Sequence, residues 1–142
     1  MLPALVNFLL LSTISVLHVY WALGGRWGFD ASLPELNGQK VLKPRWFDTL
    51  VVAGALAAMG LFHLYKLGWL PGLRAIVPTW LERYGLWLMA VLFSLRAIGE
   101  FRYVGFFKRV RNSRFAEFDT RYYSPLCLLL SINTLLLIIA IS

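Results

Sequence analysis

Cysteine and acidic side chains are scarce in this sequence. With a single cysteine, Cys127, the chain cannot form an internal disulfide, and it has no CxxC pair for a redox or metal site. Its seven acidic residues stand against fourteen Lys and Arg, which gives a net charge of +7. HExxH motifs, P-loops, dinucleotide fingerprints and nucleophile elbows are also absent. The sequence therefore predicts no metal and no cofactor, and it leaves open whether the protein is an enzyme.

Apolar residues make up 59% of the chain and gather into long runs. A helix needs roughly 20 apolar residues to cross about 30 Å of hydrocarbon. The runs of about that length are 2–23, 46–67, 80–101 and 125–142. We therefore predict an all-α fold, an integral membrane four-helix bundle forming a single domain over residues 1–142. The first run lacks a basic start and a small-x-small cleavage site, so we expect a retained helix rather than a secretory signal.

The basic residues are unevenly distributed. Ten of the fourteen lie in the connections 24–45 and 102–121, whereas the middle connection and its flanks hold three. With four spans, both rich connections lie on one side of the membrane, which the positive-inside rule makes cytoplasmic. We predict a multi-pass protein of the inner membrane with both termini outside. Because topology accounts for these charges, we expect no nucleic-acid partner.

Aromatic residues precede a group of cations in the second basic connection. The rings are those of Tyr103, Phe106 and Phe107, and the cations are Lys108, Arg109 and Arg111. This order is typical of an interfacial segment, with rings at the acyl boundary and cations on anionic phospholipid headgroups. The same order also fits a basic loop that acts only in topology, with incidental aromatics.

Polar side chains at matched depths predict a pocket in the cytoplasmic half of the bundle. Arg96 and Glu100 lie one turn apart on one face of the third run, and charged residues inside a span are costly and point to function. At about 1.5 Å per residue, Arg96 and His18 both lie roughly 8 Å from the inner ends of their runs. The candidate ligand-binding residues are His18, Trp21, Asp48, Arg96, Glu100 and Asn133. In a pocket, we expect Arg96 to hydrogen-bond to another member of this set.

Three interpretations of these residues stay open. In a structural one, Arg96 snorkels to the headgroups with Glu100 as an (i, i+4) partner. In a ligand-binding one, His18 and Glu100 form an acid–base pair and Arg96 binds a carboxylate or phosphate. In the third, they line an ion or solute path, for which so narrow a bundle would need a homo-oligomer.

Two other features bear on the fold. Ala53, Ala57 and Gly60 repeat at spacings of four and three, which predicts a face where helices approach closely. His63 lies near the outer end of the second run, roughly 15 Å or more from the depth of His18. We therefore expect no haem held by both histidines, and an interfacial position for His63.

Three longer motifs carry a resemblance that extends over nearly the whole chain. They are HVYWALGG at 18–25, RAIGEFRYVGFFK at 96–108, and FAEFD at 115–119 followed by YSPLC at 123–127. Together they resemble a family of small bacterial four-helix membrane proteins catalogued as a domain of unknown function. The resemblance implies four helices and a bacterial envelope protein, and it brings no established activity.

The sequence favours one function and keeps an alternative. The favoured function is binding, with or without chemical conversion, of a small amphipathic or lipid-like molecule that enters from the inner leaflet. The alternative is a noncatalytic structural or accessory membrane subunit.

Overall fold

The protein is described by a computed structural model that covers residues 1–142. Its helices are α1 (Leu2–Ala22), α2 (Trp46–Lys66), α3 (Thr79–Ile98), α4 (Arg114–Phe118) and α5 (Ser124–Ile141). The other elements are the antiparallel strands β1 (Glu35–Leu36) and β2 (Gln39–Lys40), 3₁₀ turns at Asp30–Ser32 and Pro71–Ala75, and a π-helical turn at Asp119–Tyr123. The predicted all-α fold with four long helices is confirmed.

Local sequence sets where the helices begin and end. Pro3 stands in the first turn of α1, where the missing N–H leaves no helical hydrogen bond unmade, and Pro125 directly follows the π-helical turn within the continuous helix Arg114–Ile141. Gly99 ends α3 with a φ of 88°, which glycine adopts without strain. Because α3 ends at Ile98, Glu100 lies beyond the helix, and the prediction that Arg96 and Glu100 share one helical face is wrong.

The long helices pair as two hairpins. α1 packs chiefly on α2, α3 packs chiefly on α5, and contacts between α1 and α5 join the two pairs. Ala53 and Gly60 are buried on the α1 side of α2, and the Ser15 hydroxyl donates to the Ala53 carbonyl at 2.7 Å. A methyl group at Gly60 would meet Phe8 and Leu11 of α1 at 3.5 Å. The face of small residues therefore does let these helices approach closely.

The outer surface of the bundle is strongly apolar. Three helices are long and apolar enough to cross a membrane: α1, α2 and the continuous helix Arg114–Ile141. α3 has a similar length of 20 residues but carries Glu82, Arg83 and Arg96. Large apolar side chains are exposed along the long helices, among them Leu9, Val16, Leu61, Leu92 and Ile139. This composition and exposure are those of a membrane protein.

The two basic connections meet at one end of the bundle. The Arg114 N–H donates to Glu35 Oε1 at 3.1 Å, and the Tyr123 hydroxyl donates to the Ala31 carbonyl at 3.2 Å. Each bond joins the connection between α1 and α2 to the start of the last long helix. The charged connections thus lie together, as their charge pattern predicted, and we call this end of the bundle the loop end.

Candidate functional site

A buried carboxylate organises the loop end. Asp119 is completely buried in the π-helical turn between α4 and α5. Its Oδ1 accepts from Arg96 Nη2 at 2.9 Å, and its Oδ2 accepts from Lys108 Nζ at 3.0 Å and the Gly105 N–H at 2.8 Å. We call Arg96, Lys108 and Asp119 the Asp119 cluster. Two cations on one carboxylate leave the cluster with a local charge of +1.

Lys108 belongs to the interior. It is 2% exposed, and its ammonium also donates to the Gly105 carbonyl at 3.0 Å and to Thr120 Oγ1. All three ammonium hydrogens are therefore used within the protein. This corrects the prediction that Lys108 meets lipid headgroups, whereas Arg109 and Arg111 are exposed.

Two glycines let the loop reach Asp119. Gly99 and Gly105 have φ values of 88° and 89°, and their backbones cross closely enough that a Cβ on either would collide with the other strand of the loop. Beside this crossing, the Phe106 N–H donates to the Ala97 carbonyl at 2.8 Å. The loop therefore folds back on the end of α3 and brings the Gly105 N–H to the carboxylate.

Two buried polar atoms at the loop end lack hydrogen-bond partners. They are Arg96 Nη1, within the Asp119 cluster, and Ser124 Oγ, at the start of α5. Buried polar groups in native proteins are nearly always satisfied, so an unpaired guanidinium nitrogen marks a place where a polar group would be stabilised. The Arg96 side chain as a whole is 33% exposed, although Nη1 itself is buried.

An open groove lies beside the Asp119 cluster, where the two connections meet. It has a volume of about 900 Å³, and Ala116 is the one hydrophobic residue that lines it. Its charged lining residues are Glu35, Lys108, Arg111, Arg114, Glu117 and Arg121. We call it the basic groove. In the sequence, Arg114 and Arg121 had only a topological role. That they line one groove with residues of the other connection could not be predicted without the fold.

Comparison with known proteins assigns a family. The model of the family described as protein of unknown function (DUF3995) matches residues 11–134. The chain belongs to this family. The resemblance to an uncharacterised family is therefore confirmed. The matched range includes every residue of the Asp119 cluster and of the basic groove. No curated protein and no solved structure matches the chain.

In this DUF3995 member, most of the predicted pocket residues serve local structure. Asp48 is exposed and accepts from the Arg45 N–H at 3.0 Å, which caps α2. Glu100 is exposed and accepts from the Tyr103 N–H. Arg96 bonds to Asp119, so the expectation that it bonds to another predicted pocket residue is wrong.

His18 and Trp21 form a pair of their own near the end of α1. Their rings meet edge to face with centroids 4.9 Å apart. His18 Nδ1 lies 2.8 Å from the Ile14 carbonyl, and the Trp21 indole donates to the Trp27 carbonyl at 2.7 Å. Neither His18 nor Trp21 is hydrogen-bonded to Arg96.

Asn133 belongs to a second polar network, nearer the chain termini. It donates to Asn7 Oδ1 at 3.1 Å, and the Asn7 amide nitrogen lies 3.1 Å from His63 Nε2 and 3.0 Å from Thr134 Oγ1. We call these four residues the Asn7 network. It ties α1 and α2 to α5, and no hydrogen bond joins Asn133 to Arg96.

His63 is fully buried in the Asn7 network, so the prediction that it is interfacial is wrong. Its Nδ1 lies 2.8 Å from the Met59 carbonyl, so Nδ1 carries the hydrogen and Nε2 of the neutral ring accepts from Asn7 or Thr134. A signal was present in the sequence, because Asn7 and His63 lie at similar depths, roughly 6 to 8 Å from the ends of their runs.

No metal site is formed by the side chains of this structure. No three or more His, Cys, Asp or Glu residues lie close enough together to hold a metal ion. The chemistry the loop end offers is recognition of a negative or hydrogen-bond-accepting group by guanidinium side chains.

Proposed function

We propose that this protein is a multi-pass protein of the bacterial inner membrane that binds a small amphipathic or lipid-like molecule at its loop end. The observation that carries the proposal is the Asp119 cluster. It places a carboxylate and two cations, with Arg96 Nη1 unpaired, at the end of an otherwise apolar bundle. An amphipathic molecule would offer a polar head to the partly exposed Arg96 side chain and an apolar tail to the helices.

The charge pattern supports the orientation. Ten basic residues lie in the two connections at the loop end, and this asymmetry favours a cytoplasmic loop end with both termini outside. The binding site then lies in the cytoplasmic half of the bundle. His18 and Trp21 lie in the last turns of α1, towards the loop end, and they are further candidates for contact with the ligand.

The alternative proposal is a noncatalytic structural or accessory subunit. It is favoured by the Asn7 network, in which buried polar groups satisfy one another. Such a network stabilises a bundle and needs no ligand. The apolar outer face also leaves room for a homo-oligomer.

Retained lipid separates the two proposals. The protein is extracted from its native membrane, washed in detergent and examined by native mass spectrometry with lipid identification. Binding predicts one class of amphipathic molecule enriched over the bulk membrane lipids. Retention of bulk lipid only, in membrane proportions, would favour the accessory subunit.

Orientation needs its own experiment. In a Cys127→Ala background, Lys43→Cys and Arg111→Cys should resist a membrane-impermeant thiol reagent in intact cells, whereas Gly72→Cys should react. All three positions are exposed, so accessibility reports the side of the membrane. Labelling of Arg111→Cys from outside would place the loop end outside and contradict the proposal.

A further inference from the structure

The basic groove presents guanidinium groups without acidic partners. The ion pairs of the structure are Lys40 with Glu35, and Arg96 and Lys108 with Asp119. Thus no carboxylate oxygen lies within 4 Å of the side-chain nitrogens of Arg111, Arg114 or Arg121. These three cations line the groove with Lys108 and with the carboxylates of Glu35 and Glu117, so four positive and two negative side chains give the lining a net charge of +2, which stabilises an anion.

Each of these arginines is held in place by a neighbour. Arg111 Nε donates to the Lys108 carbonyl at 3.1 Å. The guanidinium of Arg114 lies 5.7 Å from the Phe118 ring centroid, and that of Arg121 lies 5.8 Å from the Tyr122 ring centroid. Side chains held in this way lose less conformational entropy when they bind an anion than freely rotating ones do.

The basic groove also lies at the depth at which lipid headgroups are expected. Arg121 stands four residues before Pro125, which corresponds to about 6 Å along a helix, and the apolar part of α5 follows. The headgroup layers add roughly 5 to 8 Å on each side of the hydrocarbon. Tyr122, next to Arg121 in the chain, is exposed, and the amphipathic ring of tyrosine prefers this layer. Cations at this depth meet lipid phosphates rather than acyl chains.

We infer that the basic groove binds the phosphate of an anionic phospholipid through Arg111, Arg114 and Arg121. This inference rests on the proposed function, because it names the class of the amphipathic ligand. Guanidinium groups offer paired N–H donors that match two phosphate oxygens, which favours phosphate as the group bound. Of the cations that the sequence suggested, only Arg111 is retained, because Lys108 is buried and Arg109 does not line the groove, whereas Arg114 and Arg121 do.

The test compares two double variants of the full chain in phosphatidylcholine nanodiscs that contain a minority of phosphatidylglycerol. Arg114→Gln with Arg121→Gln removes two groove cations. Arg26→Gln with Lys43→Gln removes two exposed cations from the other connection, outside the groove lining. Because it loses paired donors to phosphate as well as two charges, the groove variant should retain phosphatidylglycerol at least about tenfold less tightly. The control should lose only a few-fold.

A charge-conserving variant and a soluble competitor complete the test. Arg114→Lys with Arg121→Lys keeps the charge but loses the paired donors, so retention should fall to an intermediate level. It also keeps the inference testable if the glutamine variant fails to fold. Millimolar inorganic phosphate should not displace the lipid, whereas displacement would identify a soluble phosphate ligand and overturn the inference.

Two further outcomes separate this inference from the proposed function. If both double variants lose phosphatidylglycerol equally, diffuse surface charge explains binding and the groove is not a site. If the wild type shows no preference for phosphatidylglycerol but retains another amphipathic molecule, the groove inference fails and the proposed function stands. If it retains no enriched molecule, both fail.

Discussion

Arg96 Nη2 lies 2.9 Å from Asp119 Oδ1, although the two residues belong to different helical segments and are 23 positions apart. The pair joins the end of α3 to the turn that precedes α5. The arginine that stands out in the third apolar run is thus partnered across the bundle rather than along its own helix. This pairing determines which variants should couple energetically.

Arg96→Leu should destabilise the protein in detergent by about 1–2 kcal/mol. This is less than for a fully buried pair, because Asp119 keeps Lys108 and the Arg96 side chain is partly exposed. A double-mutant cycle with Asp119→Asn should give a coupling energy above about 0.5 kcal/mol, whereas a cycle with Glu100→Gln should give about zero. Unfolding by denaturant measures both. Coupling to Glu100 in place of Asp119 would contradict the pairing.

Lys108→Gln should be far more damaging than Arg109→Gln. Removing the fully buried Lys108 ammonium leaves the buried Asp119 with Arg96 and the Gly105 N–H, so we expect a loss of about 3 kcal/mol, the lower end of the cost of breaking a buried pair in soluble proteins. Arg109 is exposed and adjacent, so its loss should change stability by less than about 0.5 kcal/mol. Equal effects in thermal unfolding would mean that Lys108 is not buried.

Asn7→Ala tests the Asn7 network. It removes contacts to His63, Thr134 and Asn133, and hydrogen bonds between membrane helices average about 0.6 kcal/mol each. We expect a loss of about 2 kcal/mol, measured by unfolding in detergent. Asn112→Ala, at an exposed position, is the matched control and should be close to neutral. A neutral Asn7→Ala would exclude an energetic role for the network.

Glycine substitutions should differ sharply by position. Gly99→Ala and Gly105→Ala place a Cβ against backbone atoms at positive φ, so each should destabilise the loop end and lower the thermal midpoint. Gly54→Ala meets nothing within 4 Å on an exposed face of α2 and should be neutral or stabilising by up to about 1 kcal/mol. Tolerance of alanine at Gly105 would argue against the close crossing of the loop.

Acid should release Glu35 from its partners. Hydrogen bonds from Lys40 Nζ and from the Arg114 N–H lower the pKa of Glu35 below its usual value near 4.5. Since the folded pKa is depressed, the stabilisation is complete above about pH 4.5 and is lost as the pH falls through the folded pKa. Protection of the Arg114 amide from hydrogen exchange should exceed that in Glu35→Gln from neutral pH to about pH 5, and the difference should vanish in stronger acid. A difference that persists in strong acid would exclude this carboxylate as the cause.

Much of the fold was accessible from the sequence. The apolar runs located the four long helices, and their starts agree closely with the observed ones because proline and the change from polar to apolar residues act locally. The end of α3 was missed by three residues. Gly99 allows a turn, but only the bonds from the loop to Ala97 and Asp119 show that the chain turns there.

The candidate site was accessible only in part. Arg96 stood out because a charge in an apolar run is costly, whereas Asp119 lies in a mixed, charged segment where a carboxylate is unremarkable. The depth of a residue along its helix could show which residues lie at the same level of the bundle. It could not show which face of the helix each residue occupies. His63, Asn133 and Lys108 were therefore assigned to the wrong surroundings.

By itself, the sequence determined the helical class, the number of long helices and the concentration of positive charge in two connections. These properties follow from composition and order along the chain, since hydropathy and charge act over a few consecutive residues. The tertiary structure alone decided that Asp119 receives Arg96 and Lys108, that Asn7 reaches His63, and that the two connections enclose one groove. Each of these depends on the relative rotation of packed helices, which is set by side-chain contacts between distant segments.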